Sequence, residues 1–312
     1  MVIGGYGRVV VTGASGWVGR NAVDLLIGEL GAAFADRVVL SASRARQLPT
    51  VAGAIAMLPT PDLGGLAPGP RTLIIHCGFP TQDQVDVMGE SAYTDSITRL
   101  RVTMQHVIER LGAVDMVYIS SGAATSVQRG EPLAHRTQVY GQAKIDDEET
   151  YAKAIARGGG RLCIVRAYAL SGPYMTKPGT YALGSLILQA RQHGAIEVTA
   201  DRPVRRSYMA MDDMLKIAIC AAGDLEAGDA LRFETAGEVV EVGELARRVL
   251  LGLGYDPAAI TRPQISPGAA PNDYLGDPAV LDTLALAAHI APASLDDQIT
   301  TTAEWLSQET VS

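Results

Sequence analysis

The feature that most constrains the fold is a regular alternation of short apolar runs with segments of helical periodicity. The first run, RVVVTG at residues 8–13, is an unbroken β-branched stretch typical of a strand buried on both faces. Helical patterns separate most later runs, notably at 97–112 and 144–157. Because parallel strands need helical crossovers, this order predicts an α/β fold with a doubly wound parallel sheet. The predicted strands lie within residues 8–13, 36–43, 71–78, 114–121 and 160–168.

After Arg166 the pattern changes. Residues 171–181 are rich in Gly and Pro and are predicted to form a loop, followed by a helix at 182–194. Residues 261–277 are predicted to form an exposed loop. In open α/β sheets a loop beyond the carboxyl end of a strand is where ligands bind, so we expect residues 171–181 to border a site; the alternative is a packed surface loop.

The composition excludes several classes of protein. The 312 residues carry a net charge of −8, which argues against a surface for nucleic acid or anionic membrane. The three cysteines, Cys77, Cys163 and Cys220, lie far apart in apolar runs and indicate buried thiols in a reducing compartment. The histidines show no metal-ligand spacing, and no apolar run reaches membrane-spanning length. We therefore expect a cytoplasmic protein without a metal site.

A glycine motif, VTGASGWVG, follows the first strand directly and opens a helix. Its spacing is GxxGxxG, with glycines at 13, 16 and 19. Glycines there allow a tight turn and a close approach of backbone to pyrophosphate, while the helix N-terminus offers free N–H groups. The alternative is a plain strand–helix turn; the position on the first strand of an alternating chain favours a dinucleotide. The predicted contacts are Gly13, Ser15, Gly16, Trp17, Val18 and Gly19.

The end of the second strand, VVLSASRAR, bears on the choice of cofactor. An acid there would bind the ribose 2′-hydroxyl and favour NAD, but this segment has Ser41, Ser43, Arg44 and Arg46 instead. An arginine accommodates a 2′-phosphate through charge-assisted bonds. We therefore predict NADP, with Ser43 and Arg44 as contacts; the alternative is that these arginines form a solvated face.

A tyrosine and a lysine four residues apart, Tyr140 and Lys144 in VYGQAK, share one face of a helix. A nearby ammonium favours the phenolate and lowers the pKa of a tyrosine toward working pH. Such a tyrosine can protonate a carbonyl oxygen as hydride arrives. Ser120 and Ser121, at the carboxyl end of a core strand, supply a hydroxyl for the same oxygen. A tyrosine and a lysine at this spacing are also common on exposed helix surfaces. The preceding strand that ends in two serines, and the glycine motif at the start of the chain, favour a catalytic site.

These motifs together resemble the extended short-chain dehydrogenase/reductase family, also called the NAD-dependent epimerase/dehydratase group. The resemblance runs nearly end to end, through VTGASGWVG, LIIHCG, VYISSGAA, YGQAK, RAYALSGP, RRSYMAMDDM and LDDQITTTAEWL. It implies a Rossmann domain at residues 1–167 and 206–236, and a smaller C-terminal substrate-binding domain at 168–205 and 237–312.

The resemblance also implies residue roles. Tyr140 is the acid/base, and Lys144 binds the nicotinamide ribose and lowers the Tyr140 pKa. Ser121 is the hydroxyl partner, with Ser120 the alternative. Cys77 and Gly78 are implied to contact the cofactor, and Ser121, Tyr140, Tyr168 and Arg206 the substrate, with Arg206 on a diphosphate.

Three departures from the family pattern narrow the function. Ala169 stands where an Asn often contacts a nucleotide sugar, and Arg99 stands where another Asn is expected. GAATS follows the serines in place of the Thr-Asp-Glu of 4,6-dehydratases, which argues against dehydratase activity.

The predicted function is an NADPH-dependent ketoreductase of a keto-sugar, nucleotide-linked, of the deoxysugar kind. The alternatives are a nucleotide-sugar 4-epimerase, a reductase of a small non-sugar carbonyl, and a non-catalytic NADP-sensing regulator. Relatives commonly dimerise through helices like 97–112 and 144–157, so we expect a homodimer.

Overall fold

The structure, a computed structural model, describes residues 2–309. Met1, which begins the predicted Rossmann domain, and residues 310–312, which end the predicted substrate-binding domain, lie outside this range. Its strands, in chain order, are β1 (Arg8–Thr12), β2 (Val38–Ala42), β3 (Arg46–Thr50), β4 (Gly53–Pro59), β5 (Thr72–His76), β6 (Val114–Ser121), β7 (Arg161–Ala167), β8 (Ala169–Ser171), β9 (Ile196–Glu197), β10 (Val204–Ala210), β11 (Ala230–Glu234), β12 (Val239–Glu241), β13 (Ile260–Thr261) and β14 (Asn272–Tyr274).

The α-helices, in the same order, are α1 (Trp17–Leu30), α2 (Phe34–Arg37), α3 (Gln84–Met88), α4 (Glu90–Leu111), α5 (Gly122–Gln128), α6 (His135–Gly158), α7 (Ala182–His193), α8 (Met211–Asp224), α9 (Val242–Gly252), α10 (Pro278–Ala287) and α11 (Leu295–Glu309). Among residues 2–309, none of these helices is both long and apolar enough to cross a bilayer.

The chain forms two compact units, and unit 1 contains residues up to Ala167 together with Leu215–Phe233. Its sheet has eight strands in the order β11-β7-β6-β5-β1-β2-β4-β3. β1 lies between β2 and β5 and runs parallel to both, and β5, β6 and β7 continue the parallel pairing. Strand order reverses about β1, so the predicted doubly wound α/β fold is confirmed.

The apolar runs form the centre of this sheet because both of its faces are covered. All eight residues of β6 are buried, which explains why VDMVYISS lacks an inside–outside alternation. Helices α4 and α6 contribute Met104, Val107 and Ile155 to the same core. Burying each such side chain stabilises the fold by about 1.5–3 kcal/mol.

The structure differs from the sequence prediction in several bounds. Helix α4 begins at Glu90 and α6 at His135, both earlier than predicted, so the YGQAK motif lies inside a long helix. The antiparallel hairpin β3–β4 was not predicted. Its outer strand has mainly exposed side chains and contains Pro49, so it carries little apolar periodicity.

Unit 2 contains Tyr168–Met214 and Glu234 onward. Strand β10 is its centre, paired with β8 and β14 in parallel and with β12 antiparallel. Helices α7, α9 and α11 supply its core through residues such as Ile187, Val249 and Ile299. The predicted loop at 261–277 contains β14, because residues 272–274 pair with the edge of β10.

Candidate active site

The glycine motif makes a tight loop between β1 and α1. Gly13 has a φ of +65°, and a Cβ there would lie 2.6 Å from the backbone of Gly78. A Cβ on Gly19 would overlap the Gly13 carbonyl oxygen. Gly16 is the N-cap of α1 and brings no side chain to the orphan N–H groups of its first turn. The loop therefore has the close backbone approach and the open helix N-terminus that fit a dinucleotide pyrophosphate.

Two arginines, Arg44 and Arg46, follow the end of β2, and Arg46 reaches this loop. Ser43 and Arg44 are exposed, and the guanidinium of Arg46, at the start of β3, donates a hydrogen bond to the Ser15 hydroxyl in the glycine loop. Ser41 is instead fully buried, with its hydroxyl 3.4 Å from that of Thr60. Arg46 was named in the sequence only as part of a basic segment; its contact with Ser15 depends on the β3–β4 hairpin.

The end of β5 is held against the glycine loop by Thr12. The Thr12 hydroxyl accepts from the Gly78 N–H at 3.3 Å, and its carbonyl accepts from the Cys77 N–H at 3.2 Å. His76 hydrogen-bonds the same hydroxyl through Nδ1 and lies 3.3 Å from the Tyr151 hydroxyl through Nε2. Burial, together with the nearby Lys144 charge, lowers the pKa of His76 to about 3. His76 is therefore neutral and links β5 to β1 and α6 through hydrogen bonds.

Lys144 is buried, with 3% of its surface exposed. Its Nζ donates to the Ile119 carbonyl oxygen at 2.8 Å and lies 3.7 Å from the Phe79 ring centroid and 4.9 Å from that of Tyr118. Burial lowers the pKa of this lysine to about 8, with a partial opposing effect from the charge of Asp147. The Lys144 ammonium therefore loses its proton more readily than that of an exposed lysine.

Tyr140 lies one turn before Lys144, and the Lys144 Nζ is 5.8 Å from its ring centroid. The ring is half-buried and meets Phe79 edge-on at 5.7 Å. Gly141 lets α6 pack directly on α5, because a Cβ there would lie 2.6 Å from the Ala123 carbonyl oxygen. The glycine of the YGQAK motif thus brings the tyrosine and the lysine close to the end of β6.

The two adjacent serines have different partners. Ser120 donates to the buried Glu148 carboxylate, which also binds Arg166 at 2.7 Å and Arg232 at 2.9 Å. Ser121 is the N-cap of α5, where its hydroxyl oxygen accepts from the Ala123 N–H at 3.2 Å. Accepting that bond leaves the Ser121 hydroxyl proton for another acceptor. Ser120 belongs to a buried charge network, and Ser121 is the better candidate donor.

Unit 2 contains two of the predicted substrate contacts, Tyr168 and Arg206. Both lie near Tyr274, a residue that was not predicted. The Tyr168 and Tyr274 rings lie 4.6 Å apart, and the Arg206 guanidinium is 5.9 Å from the Tyr274 centroid. Arg206 donates to the Asn272 carbonyl at 2.8 Å, and its partial burial lowers its pKa. Tyr274 was missed because its segment was predicted to be an exposed loop.

A family model, described as the NAD dependent epimerase/dehydratase family, matches residues 9–243 of the chain. The chain belongs to this family. The resemblance found in the sequence is thereby confirmed, and the protein is an NAD(P)-dependent enzyme of the extended short-chain dehydrogenase/reductase type. No curated protein sequence matches the chain significantly.

Solved structures of similar fold cover almost the whole chain. A UDP-N-acetylglucosamine 4-epimerase from Methanobrevibacter ruminantium M1, in complex with UDP-N-acetylmuramic acid, is 16% identical over 97% of this chain and 98% of its own, with a TM-score of 0.69. A UDP-N-acetylglucosamine 4-epimerase from Bacillus cereus is 14% identical over 96% of both chains, with a TM-score of 0.72. A dTDP-glucose 4,6-dehydratase from Streptomyces venezuelae with NAD bound is 19% identical over 97% and 98%, with a TM-score of 0.67. At these identities the likeness shows the fold.

Proposed function

We propose that the protein is an NADPH-dependent ketoreductase of a nucleotide-linked keto-sugar. The observation that carries the cofactor choice is the Arg46 guanidinium on Ser15 of the glycine loop, with Arg44 exposed two residues earlier in the chain. No acidic residue lies between Val38 and Arg46 to bind a ribose 2′-hydroxyl. A 2′-phosphate would meet two guanidiniums there.

In this proposal Tyr140 donates a proton to the substrate carbonyl oxygen, and Ser121 donates a hydrogen bond to the same oxygen. The nicotinamide cofactor, when bound, supplies the hydride. The Lys144 ammonium stabilises the phenolate left on Tyr140, because a positive charge nearby favours the charged form of the phenol. Since burial lowers the pKa of Lys144 to about 8, we expect reduction to weaken as pH rises through that value.

Substrate binding is proposed for unit 2, through Arg206, Tyr168 and Tyr274. A guanidinium with an aromatic pair offers charge for a diphosphate and a flat apolar surface for a sugar or base. The M. ruminantium epimerase of similar fold is in complex with UDP-N-acetylmuramic acid, which supports this substrate class. Ala169 removes the amide expected beside such a substrate, so we expect sugar contacts that differ from those of the family pattern.

A nucleotide-sugar 4-epimerase is the second candidate, favoured by the two epimerases of similar fold. The experiment mixes the protein with NADPH or NADH and a panel of 4-keto-6-deoxy nucleotide sugars, and follows absorbance at 340 nm. We expect NADPH consumption with at least one keto-sugar. Interconversion of C4 epimers without added cofactor, and no NADPH consumption, would instead establish the epimerase.

The cofactor assignment has its own test. We expect the double variant Arg44→Ala/Arg46→Ala to weaken NADPH binding by roughly 10–100-fold and to leave NADH binding unchanged, since a charge-assisted hydrogen bond contributes about 1.5–3 kcal/mol. Arg157→Ala, an exposed arginine at the far end of α6, is the matched control. Equal weakening of both cofactors would contradict a 2′-phosphate site.

We also propose a homodimer formed through α4 and α6. Val102 on α4 is 58% exposed, an apolar residue that a partner helix would cover. Light scattering of the wild type and of Val102→Asp distinguishes a dimer from a monomer.

A further inference from the structure

Phe79, which immediately follows the cofactor-side segment Cys77–Gly78, contacts both members of the Tyr140–Lys144 pair. The Lys144 Nζ lies 3.7 Å from its ring centroid, over the face of the ring. The Tyr140 ring meets the same phenylalanine edge-on, at 5.7 Å between centroids and 84° between planes. One aromatic ring thus presents its face to the cation and lies against the phenol.

The position of Phe79 follows from its neighbours on both sides. Thr12 holds Gly78 against the glycine loop, and the Tyr93 hydroxyl donates to the Pro80 carbonyl at 3.0 Å. Phe79 itself packs against a small apolar cluster of α3 and α4, made of Val85, Tyr93 and Ile97, and Val139, Tyr140 and Ala143 of α6 pack against the same cluster. The ring is therefore held from both ends of its segment and from the helix that carries Lys144.

Among residues 2–309, the groups around Lys144 do not include a carboxylate that is free of other partners, so an aromatic ring can contribute to stabilising its charge. Burial disfavours its ammonium form, and the groups that face it come from three elements: His76 and Cys77 at the end of β5, Tyr118 and the Ile119 carbonyl of β6, and Tyr140, Asp147 and Glu148 of α6. The two carboxylates are already engaged, Asp147 by Arg101 and Glu148 by Arg166. The negative face of an aromatic ring attracts a desolvated ammonium.

We propose that Phe79 is a positioning residue that keeps the Lys144 ammonium charged and orients the Tyr140 ring beside it. This rests on the proposed function only in giving Tyr140 and Lys144 their catalytic roles. The contact itself is a property of the protein without substrate, so it can be measured even if the reaction is not the one proposed.

The pKa of Lys144 can be measured by NMR without signal overlap from many lysines, because the sequence contains four: Lys144, Lys153, Lys177 and Lys216. Protein labelled with ¹³C at the lysine ε-carbon gives four NMR signals, and Lys144→Met assigns the buried one. Titration of wild type, Phe79→Leu and Phe79→Tyr then measures the pKa of Lys144 directly. Phe79→Tyr keeps the aromatic face, whereas Phe79→Leu removes it and keeps an apolar side chain.

We expect the pKa of Lys144 to fall by about one pH unit in Phe79→Leu and to stay near the wild-type value in Phe79→Tyr. The direction of the change in the Lys144 pKa distinguishes stabilisation of the ammonium by the ring from simple shielding from water. If Phe79 only shields Lys144 from water, its replacement hydrates the ammonium and the pKa rises. A rise, or no change, in Phe79→Leu would overturn the proposal.

A second probe works if Phe79→Leu does not fold. The chain has three phenylalanines, Phe34, Phe79 and Phe233, so trifluorophenylalanine can be incorporated at all of them. Fluorination keeps the ring shape and weakens its negative face, and we expect the pKa of Lys144 to fall again. An unchanged pKa would contradict the cation–π contact. In turnover assays, the alkaline limb of the kcat profile should move to lower pH with the Lys144 pKa.

Discussion

Lys144 and Glu148 lie one turn apart on α6, and both are almost fully buried, yet their partners differ in kind. The Glu148 carboxylate binds two arginines and the Ser120 hydroxyl. The Lys144 ammonium has a carbonyl oxygen and three aromatic rings around it. The same helix face therefore carries one charge balanced by opposite charges and another kept in a poorly compensated environment.

The difference separates the structural role of Glu148 from the catalytic role that we propose for Lys144. Arg166 and Arg232 bind Glu148, and the bond from Arg166 ties α6 to β7. A poorly compensated ammonium has a lowered pKa, and such groups concentrate at sites that carry out chemistry. We infer that Glu148 has a structural role, holding α6 in the position that the proposed roles of Lys144 and Tyr140 require.

The largest effect we expect is on stability. Glu148→Ala leaves the buried Arg166 guanidinium without its carboxylate, so the free energy of unfolding should fall by about 3–5 kcal/mol. The chain has two tryptophans, Trp17 and Trp305. In a Trp305→Phe background, urea unfolding followed by fluorescence therefore reports on unit 1 through Trp17.

Lys144→Met is the matched variant on the same helix face. Because burial of its charge is unfavourable, stability at pH 7 should be unchanged or higher, by up to about 3 kcal/mol, although we expect activity to be lost. Equal destabilisation by both variants would remove the contrast between the two sites.

Ser120 and Ser121 allow the same comparison of a structural with a proposed catalytic role, measured by kinetics. Ser121→Ala removes the proposed donor to the substrate oxygen, and we expect kcat to fall about 100-fold. Ser120→Ala removes a hydrogen bond to Glu148, which should lower stability by about 1–3 kcal/mol and change kcat little. Steady-state kinetics of both variants, with urea unfolding alongside, assigns the roles; a larger kcat loss in Ser120→Ala would reverse them.

His76 adds a third buried group, one that burial keeps neutral. Its pKa is about 3 in the folded protein against an ordinary 6.5, so the unfolded chain takes up the proton first as pH falls. Stability is therefore full above pH 6.5 and decreases below it, by about 2 kcal/mol between pH 7 and pH 5. Urea unfolding at the two pH values measures this loss. In His76→Gln the loss should shrink by that amount, and an unchanged pH dependence would exclude His76 as its source.

Much of this architecture could be predicted from local patterns. The β-branched runs and their helical spacers predicted the parallel sheet, and the glycine spacing predicted the turn at Gly13, because both depend on residues close in sequence. The YxxxK spacing placed Tyr140 and Lys144 on one helix face for the same reason.

What could not be predicted depends on distant partners. Ser120 and Ser121 differ only because Glu148, on α6, reaches one of them. Phe79 gave no signal, since its contacts with Lys144 and Tyr140 depend on how β5 and α6 pack. Arg46 reaches Ser15 through a hairpin whose outer strand lacks apolar periodicity.

The proposed role of Tyr140 as the proton donor of a ketoreductase is tested most directly by single-turnover reduction in Tyr140→Phe. With the keto-sugar that the wild type reduces, hydride transfer should slow by roughly 10²–10⁴-fold, the contribution of general acid–base catalysis, while the Kd for NADPH stays unchanged. Transfer at the wild-type rate, with NADPH still bound, would contradict this role.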